Sequence, residues 1–360
     1  MAEKLRVVVF GPPLNNSGGV GTLFTYFRDE VEGLIDLKFV DTRGSSRHPI
    51  FSIFSLLSSI CQATILKIQR RIDVAHLNMG SRGSSFRKLT LAFWLKRILG
   101  VPTALHLHAS SFDTWIETSN PLVKKIVISG INRADKLFVL GEIWKDKMVS
   151  FGVDADLIQI LVMGVPDLSS SELRHQKNDQ VIRVLFAGEM SERKGLPSLL
   201  DAMSDERLSD YHLSVAGSGS VDRWKTYLES KPAQRRTDFL GHITVDEVHR
   251  ELAQSQILIL PSRAEGLPVS VMEGFAASTT VICTVVGALE TYLEDDQNSI
   301  VLKSSQPSEI ASALLRAANA DIRSKLSVNG HSSWNKHFNV RNTSGELMSI
   351  WRSLHNTKTQ

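Results

Sequence analysis

Cysteine is scarce in these 360 residues, with Cys61 and Cys283 the only two. Two thiols exclude a disulfide framework, and no Cys/His spacing suits a zinc site. A reducing compartment is expected. Also lacking is an apolar run of membrane-spanning length, since residues 51–66 are too short and too rich in Ser and Gln. No secretory signal is visible, because Glu3, Lys4 and Arg6 lead straight into a short Val-Val-Val-Phe strand. No internal repeat or low-complexity segment stands out. Net charge is low, +3, but it is unevenly placed. Residues 1–165 hold 20 Lys/Arg against 14 Asp/Glu, and residues 166–360 hold 21 against 24. A basic first half favours an anionic partner. Nothing in it resembles a nucleic-acid reader, so no nucleic acid is expected. An anionic membrane surface or a phosphate-bearing lipid acceptor is the better candidate.

What is present describes a globular enzyme, with 42% hydrophobic and 22% charged residues in a chain long enough for two α/β domains. Short apolar runs at 6–10, 37–40, 74–77, 103–107, 136–140 and 158–163 alternate with helical patterns, among them 22–31. That alternation predicts a parallel sheet with right-handed crossovers. The polar stretch 167–180 has no apolar periodicity and reads as a linker. Strand patterns resume at 183–187, 213–216, 239–240, 257–260, 281–284 and 300–302. The expected domains are therefore 1–166 and 181–340, two Rossmann-like halves facing across a cleft at the carboxyl ends of their strands. Residues 341–355 form an amphipathic helix, with Leu347, Ile350, Trp351 and Leu354 on one face.

The segment Glu265-Gly-Leu-Pro-Val-Ser-Val-Met-Glu273 follows the apolar run Ile257–Leu260. It sets two carboxylates eight positions apart across a strand end, a turn and a helix start. Pro268 suits the first turn of a helix, where a missing N–H is harmless. Backbone N–H groups at such an end face a negative ligand, and carboxylates accept from adjacent hydroxyls, so a sugar or ribose beside a diphosphate fits. Two surface glutamates flanking a capped helix is the plainer reading. Upstream, Gly188-Glu-Met-Ser-Glu-Arg-Lys-Gly195 offers a Gly-rich bend with cations ahead of the helix 196–203, which suits phosphate. Near the start, Ser17-Gly18-Gly19-Val20-Gly21 opens a helix. It lacks the strict G-x-G-x-x-G spacing, and Asp41 is the only acid placed for a ribose, so a dinucleotide site is disfavoured.

With Val184-Leu-Phe-Ala-Gly188, Lys194-Gly195 and the Pro261-Ser-x-x-Glu-Gly-x-Pro stretch, the chain resembles retaining glycosyltransferase family 4, of the GT-B fold. The resemblance runs over nearly the whole chain and is strongest at 184–302. It implies a hexose transferred with retention from a UDP- or GDP-linked sugar to a glycan or polyprenyl-diphosphate-linked acceptor, with no cofactor and no metal. The implied setting is bacterial surface polysaccharide assembly, cytoplasmic and peripheral to the inner face of the cell membrane. It also implies that the last helix, 341–360, packs back on the first domain. By sequence alone, that helix caps the second domain equally well.

Residue by residue, the resemblance assigns Lys194 to the donor phosphates, Glu273 to the ribose and Glu265 to the transferred sugar. The backbone of Gly266, Leu267 and Val269 serves sugar and phosphate. Gly217 and Gly19 stand near the nucleotide, and His242 and Ile243 near the base. Gly287 and Glu290 resemble a weaker element of the family. His108 matches the histidine beside the sugar, with His106 and His76 as supporting residues. On the acceptor side, Gly18, Asn78, Arg82, Arg87 and Lys88 offer hydroxyl-rich and cationic contacts. The helical stretch 86–99 is basic and amphipathic, suited to an anionic bilayer or to ordinary packing on the sheet. One position departs from the family. Glu189 stands where an arginine usually clamps phosphate, and Arg193 and Arg263 are the candidates to replace it. Asp154-Ala-Asp156 lies in the wrong context for a metal. Two other readings stay open: a non-catalytic sugar-nucleotide-binding partner, and a Rossmann oxidoreductase.

Overall fold

The computed structural model describes residues 4–14, 18–42, 49–108, 110–169 and 181–357. It divides into two compact units, Met1–Gly164 with Val340–Gln360, and Val165–Asn339. In the first unit the strands are β1 (Arg6–Gly11), β2 (Asp36–Asp41), β3 (Val74–Met79), β4 (Thr103–Leu107), β5 (Lys136–Val139) and β6 (Ile158–Ile160). Between them run α1 (Gly19–Glu30), α2 (Pro49–Ile68), α3 (Gly83–Phe93), α4 (Phe112–Glu117), α5 (Pro121–Ile131) and α6 (Glu142–Phe151). The parallel sheet has the order β2-β1-β3-β4-β5-β6. Val7, Val8, Val9 and Phe10 are wholly buried, as a strand covered on both faces requires.

The second unit has β7 (Ile182–Ala187), β8 (Tyr211–Ala216), β9 (Thr237–Gly241), β10 (Ile257–Leu260), β11 (Thr280–Thr284) and β12 (Ile300–Leu302). Its helices are α7 (Leu196–Ala202), α8 (Val221–Leu228), α9 (Val245–Gln254), α10 (Val269–Ala276), α11 (Pro307–Arg316) and α12 (Ala320–His337). Sheet order is β12-β11-β10-β7-β8-β9, again parallel. In each sheet the chain reverses its direction of travel at one place, between β1 and β3 in the first unit and between β7 and β10 in the second. Such a reversal leaves a crevice at the strand ends, because the flanking loops diverge to opposite faces.

The last helix, α13 (Val340–Asn356), belongs to the first unit. Its Trp351 is fully buried, with its ring edge-on to Phe27 at 5.4 Å and to His76 at 5.5 Å. Gly164 donates its N–H to Thr343 Oγ1 at 3.0 Å, fixing the start of the helix. In the second unit Trp334 of α12 donates to the Val165 carbonyl at 3.0 Å, and Phe275 stacks on Phe338.

All twelve expected strands are present, with ends shifted by at most a few residues. Residues 161–163, expected at the end of β6, lie beyond its paired span. The expected helix over 86–99 starts earlier, at Gly83, and passes at Trp94–Ile98 into a π-helical turn. Of the stretch read as a linker, residues 170–180 lie outside the described residues. Leu168, in the described part of that stretch, donates its N–H to the Ala276 carbonyl within the second unit. Among the described residues no helix is long and apolar enough to cross a membrane.

Candidate functional site

At the β7/β10 reversal two loops meet, 188–195 after β7 and 261–268 after β10. Their joint is made by backbone. Gly195 adopts φ +74°, and a Cβ there would stand 2.1 Å from the Pro261 carbonyl oxygen. No side chain fits, so glycine lets the second loop lie directly on the first. Arg263 N–H then donates to the Arg193 carbonyl at 2.8 Å. Beneath them, Ala288 N–H donates to the Gly266 carbonyl at 2.8 Å, bringing the Gly287 turn under Glu265 and Gly266.

This joint brings Lys194 and Glu265 together. Lys194 Nζ stands 2.5 Å from Glu265 Oε1, a charge contact rather than a well-angled hydrogen bond. Both side chains are largely shielded, at 13% and 8% exposure. Arg193 approaches the other oxygen, Oε2, at 3.8 Å. Glu265 also raises the thiol of the buried Cys283, which burial first and the carboxylate second push up to about 12. A carboxylate flanked by two cations in a shielded crevice can accept sugar hydroxyls while the cations face phosphate.

Glu189, the residue out of place for an anion site, is engaged locally. Arg193 donates to its Oε2 at 2.8 Å and to the Ala264 carbonyl at 2.9 Å. The hydrogen bond from Arg193 holds the Glu189 carboxyl below its ordinary range. Arg193 therefore links both loops. Arg263 is exposed, and its guanidinium has no partner among the described residues.

Glu273 is buried on α10, whose first residue is Val269 and whose cap is Pro268. His249 of α9 stands 3.7 Å from it. No pattern in the sequence pointed to His249, because only the packing of α9 on α10 brings it there. Gly266 is buried and Leu267 half-buried in the turn before α10. Gly217 lies against the β7 exit; with φ +147°, a Cβ would come within 1.8 Å of the Gly188 carbonyl oxygen. Its N–H donates to the Gly241 carbonyl at 2.7 Å, so the ends of β7, β8 and β9 form one row. His242 and Ile243 follow at the far end of that row, exposed and half-buried, just ahead of the Thr244 cap of α9.

The first unit has its own crevice at the β1/β3 reversal, with a cavity of about 210 Å³. Asn78, Arg87, Lys88 and His108 line it together with Thr42 and Ser84. Lys88, nearly buried, donates to Thr42 Oγ1. Val20 reaches this lining, whereas Gly18, Gly19 and Arg82 are not part of it. Gly18 caps α1, Gly19 begins it, and the exposed Arg82 precedes α3 with φ +56°. Ser17 lies outside the described residues.

Behind His108 a row of histidines runs inward, with ring centroids 3.9 Å apart for the tilted pair His106–His108 and 5.3 Å for the edge-on pair His76–His106. Burial drives all three below the ordinary histidine range, His76 to about 3 and His108 to about 4. They are neutral at pH 7. The Asn78 amide lies near enough to favour the charged form of His76 slightly, without a hydrogen bond of proper geometry.

Residues 171–331, most of the second unit, match the family described as Glycosyl transferases group 1. An uncharacterized glycosyltransferase of Methanocaldococcus jannaschii is 26% identical over 240 residues, 66% of this chain and 64% of its own length. The amylovoran biosynthesis glycosyltransferase AmsK of Erwinia amylovora is 23% identical over 195 residues, 51% of this chain and 48% of its own. The chain thus spans about half to just under two thirds of the length of these curated relatives. Among solved structures, sucrose-phosphate synthase from Thermosynechococcus elongatus superimposes with a TM-score of 0.82 at 13% identity, covering 98% of this chain and 100% of that one. Anabaena HepE, solved with UDP-glucose, gives 0.76 at 14% identity, covering 96% and 99%. The fold is the two-domain α/β fold of GT-B proteins.

Proposed function

We propose that this chain is a retaining hexosyltransferase that takes its sugar from a UDP- or GDP-linked donor. The acceptor is a glycan or polyprenyl-diphosphate-linked glycan, in surface polysaccharide assembly at the inner face of the cell membrane. The observation that carries this reading is the shielded Lys194–Glu265 pair at the β7/β10 reversal, with Arg193 beside it. The relatives support it in part, since one acts in amylovoran biosynthesis and one structural neighbour holds UDP-glucose.

In this reading the donor diphosphate takes the place of Glu265 as counter-charge to Lys194. Glu265 is freed to accept hydroxyls of the transferred sugar. Glu273 accepts the ribose hydroxyls from α10, and the amides of Gly266, Leu267 and Val269 face sugar and phosphate. As the bond between the anomeric carbon and the phosphate oxygen breaks, negative charge grows on the diphosphate, where Lys194 and Arg193 stabilise it. The acceptor oxygen attacks from the face the nucleotide leaves, and its proton passes to the departing phosphate oxygen. Retention by this route needs no enzymic nucleophile, which leaves Glu265 to bind sugar hydroxyls rather than attack the anomeric carbon. Charge stabilisation by side-chain cations also makes the reaction independent of a metal; activity unchanged by a chelator supports that.

His108, neutral and at the mouth of the first unit's cavity, offers a hydrogen bond to the sugar or the acceptor. Asn78, Arg87 and Lys88 hold an acceptor phosphate. Thermal-shift titration with UDP, GDP and ADP, then with their sugars, identifies the donor, and NMR of the product gives its anomeric configuration. Stabilisation by no nucleotide at all overturns the reading. Because Glu189 occupies the phosphate loop, a second reading is a partner protein that binds sugar nucleotides without turnover. Binding with neither hydrolysis nor transfer favours that one.

A further inference from the structure

Between Asp41 and Asp113 the chain carries ten Lys or Arg residues but a single acid, Asp73, which Arg6 holds at 2.7 Å. Helices α2 and α3 fall in this stretch, and α5 is equally free of acids. α3 packs beside both of the others, so three acid-free helices form one layer of the first unit. Each of them exposes large apolar side chains. On α2, Phe54, Leu57, Cys61, Ile65 and Ile68 recur at helical spacing and are all exposed, Ile68 by 77%. Between α3 and α5 lies a groove of about 220 Å³, with Phe86, Phe93 and Ile126 exposed along it and Leu89 and Ala92 buried within it. Lys96, Arg97 and Arg133 also line it. Lys96 and Arg97 sit on the π-helical turn Trp94–Ile98, an irregularity that often marks a functional position. Lys96 is tied to Asp135 at 2.9 Å, while Arg97 and Arg133 are exposed and have no ion-pair partner among the described residues.

We infer that this layer is a docking surface for an anionic bilayer, with the α3/α5 groove taking one acyl chain of an anionic phospholipid and Arg97 and Arg133 meeting its phosphate. The inference rests on the membrane-peripheral part of the function proposed above. Exposed aromatic and aliphatic side chains without a single acid in three neighbouring helices complement hydrocarbon bordered by phosphate. Water-facing helices normally carry both charge signs.

The 360-residue chain provides a reporter, since Cys61 is exposed on the α2 stripe and Cys283 is buried. A polarity-sensitive dye on Cys61 is followed as phosphatidylcholine vesicles with or without phosphatidylglycerol are added, alongside vesicle flotation. Expected are flotation and a blue shift only with phosphatidylglycerol, weakened by salt. Arg97→Gln with Arg133→Gln lowers partitioning by about tenfold or more. Phe93→Ser with Ile126→Ser lowers it too, and Lys336→Glu on α12 does not. Monomeric short-chain phosphatidylglycerol raises the melting temperature of the parent but not of the Arg97→Gln/Arg133→Gln protein. Lipid-independent flotation, equal loss in Lys336→Glu, no stabilisation by the monomeric lipid, or a dye shift caused by self-association without vesicles overturns the inference. Sugar-nucleotide hydrolysis in vesicle-free solution, unchanged in these variants, keeps its failure distinct from failure of the transferase reading.

Discussion

A lysine shielded as Lys194 is must keep a counter-charge, and Glu265 at 2.5 Å supplies it. Truncating one member strands the other in a poorly solvated place. Lys194→Met is expected to destabilise the fold by about 3 kcal/mol, as loss of a buried pair member does. Adding Glu265→Gln should restore much of that stability in urea unfolding while activity stays lost. Lys194→Ala should lower donor hydrolysis and transfer about 10²–10³-fold, the usual effect of removing a group that stabilises transition-state charge. Arg193 touches Glu189, Ala264 and Glu265, whereas Arg263 has no side-chain partner among the described residues. Arg193→Ala should therefore weaken nucleotide-diphosphate binding about tenfold by calorimetry, and Arg263→Ala much less. Equal effects would refute Arg193 as the replacement for the missing arginine.

Elements hold these residues through their ends. α9 begins with a reciprocal cap, Thr244 accepting from Glu247 N–H while the Glu247 carboxylate accepts from Thr244 N–H. Thr244→Ala should lower stability by about 1 kcal/mol. It should also loosen the helix that brings His249 to Glu273. The β7-to-α7 loop depends on Gly195, where an added methyl meets the Pro261 carbonyl. Gly195→Ala should cost about 1–3 kcal/mol in strain, read as a lower melting temperature. Nucleotide affinity should fall with it, since the same contact joins the two site loops.

For the first unit as a whole, the buried histidines set a pH dependence. His76 and His108 are held near 3 and 4 by burial, against about 6.5 when exposed. Their folded values are depressed, so below pH 6.5 the unfolded chain takes up protons that the folded chain refuses. Stability is complete above that pH and falls as pH drops toward 4, by up to about 1.4 kcal/mol per pH unit for each ring. Urea midpoints measured between pH 6.5 and 5 should show this slope, and His106→Gln should flatten it. The last helix is tied to the same core. Trp351→Ala should destabilise by about 3–5 kcal/mol, because the cavity opens against Phe27 and His76.

The linear chain determined the strands, because a strand buried on both faces must be a short apolar run, as Val7–Phe10 and Ile257–Leu260 are. It also determined the local carriers of chemistry, since a turn between strand and helix with Lys194, Glu265 and Glu273 around it is written in consecutive residues. What it left open depends on residues distant in sequence. Only strand order sets β7 beside β10, and only that neighbourhood lets Lys194 reach Glu265 across 71 positions or brings Arg193 to the Ala264 carbonyl. His249 against Glu273 and α13 against Phe27 are likewise packing outcomes with no local signature. Periodicity reports which face of an element is buried. What that face meets is decided by topology, because parallel strands leave the partner free to come from anywhere in the chain.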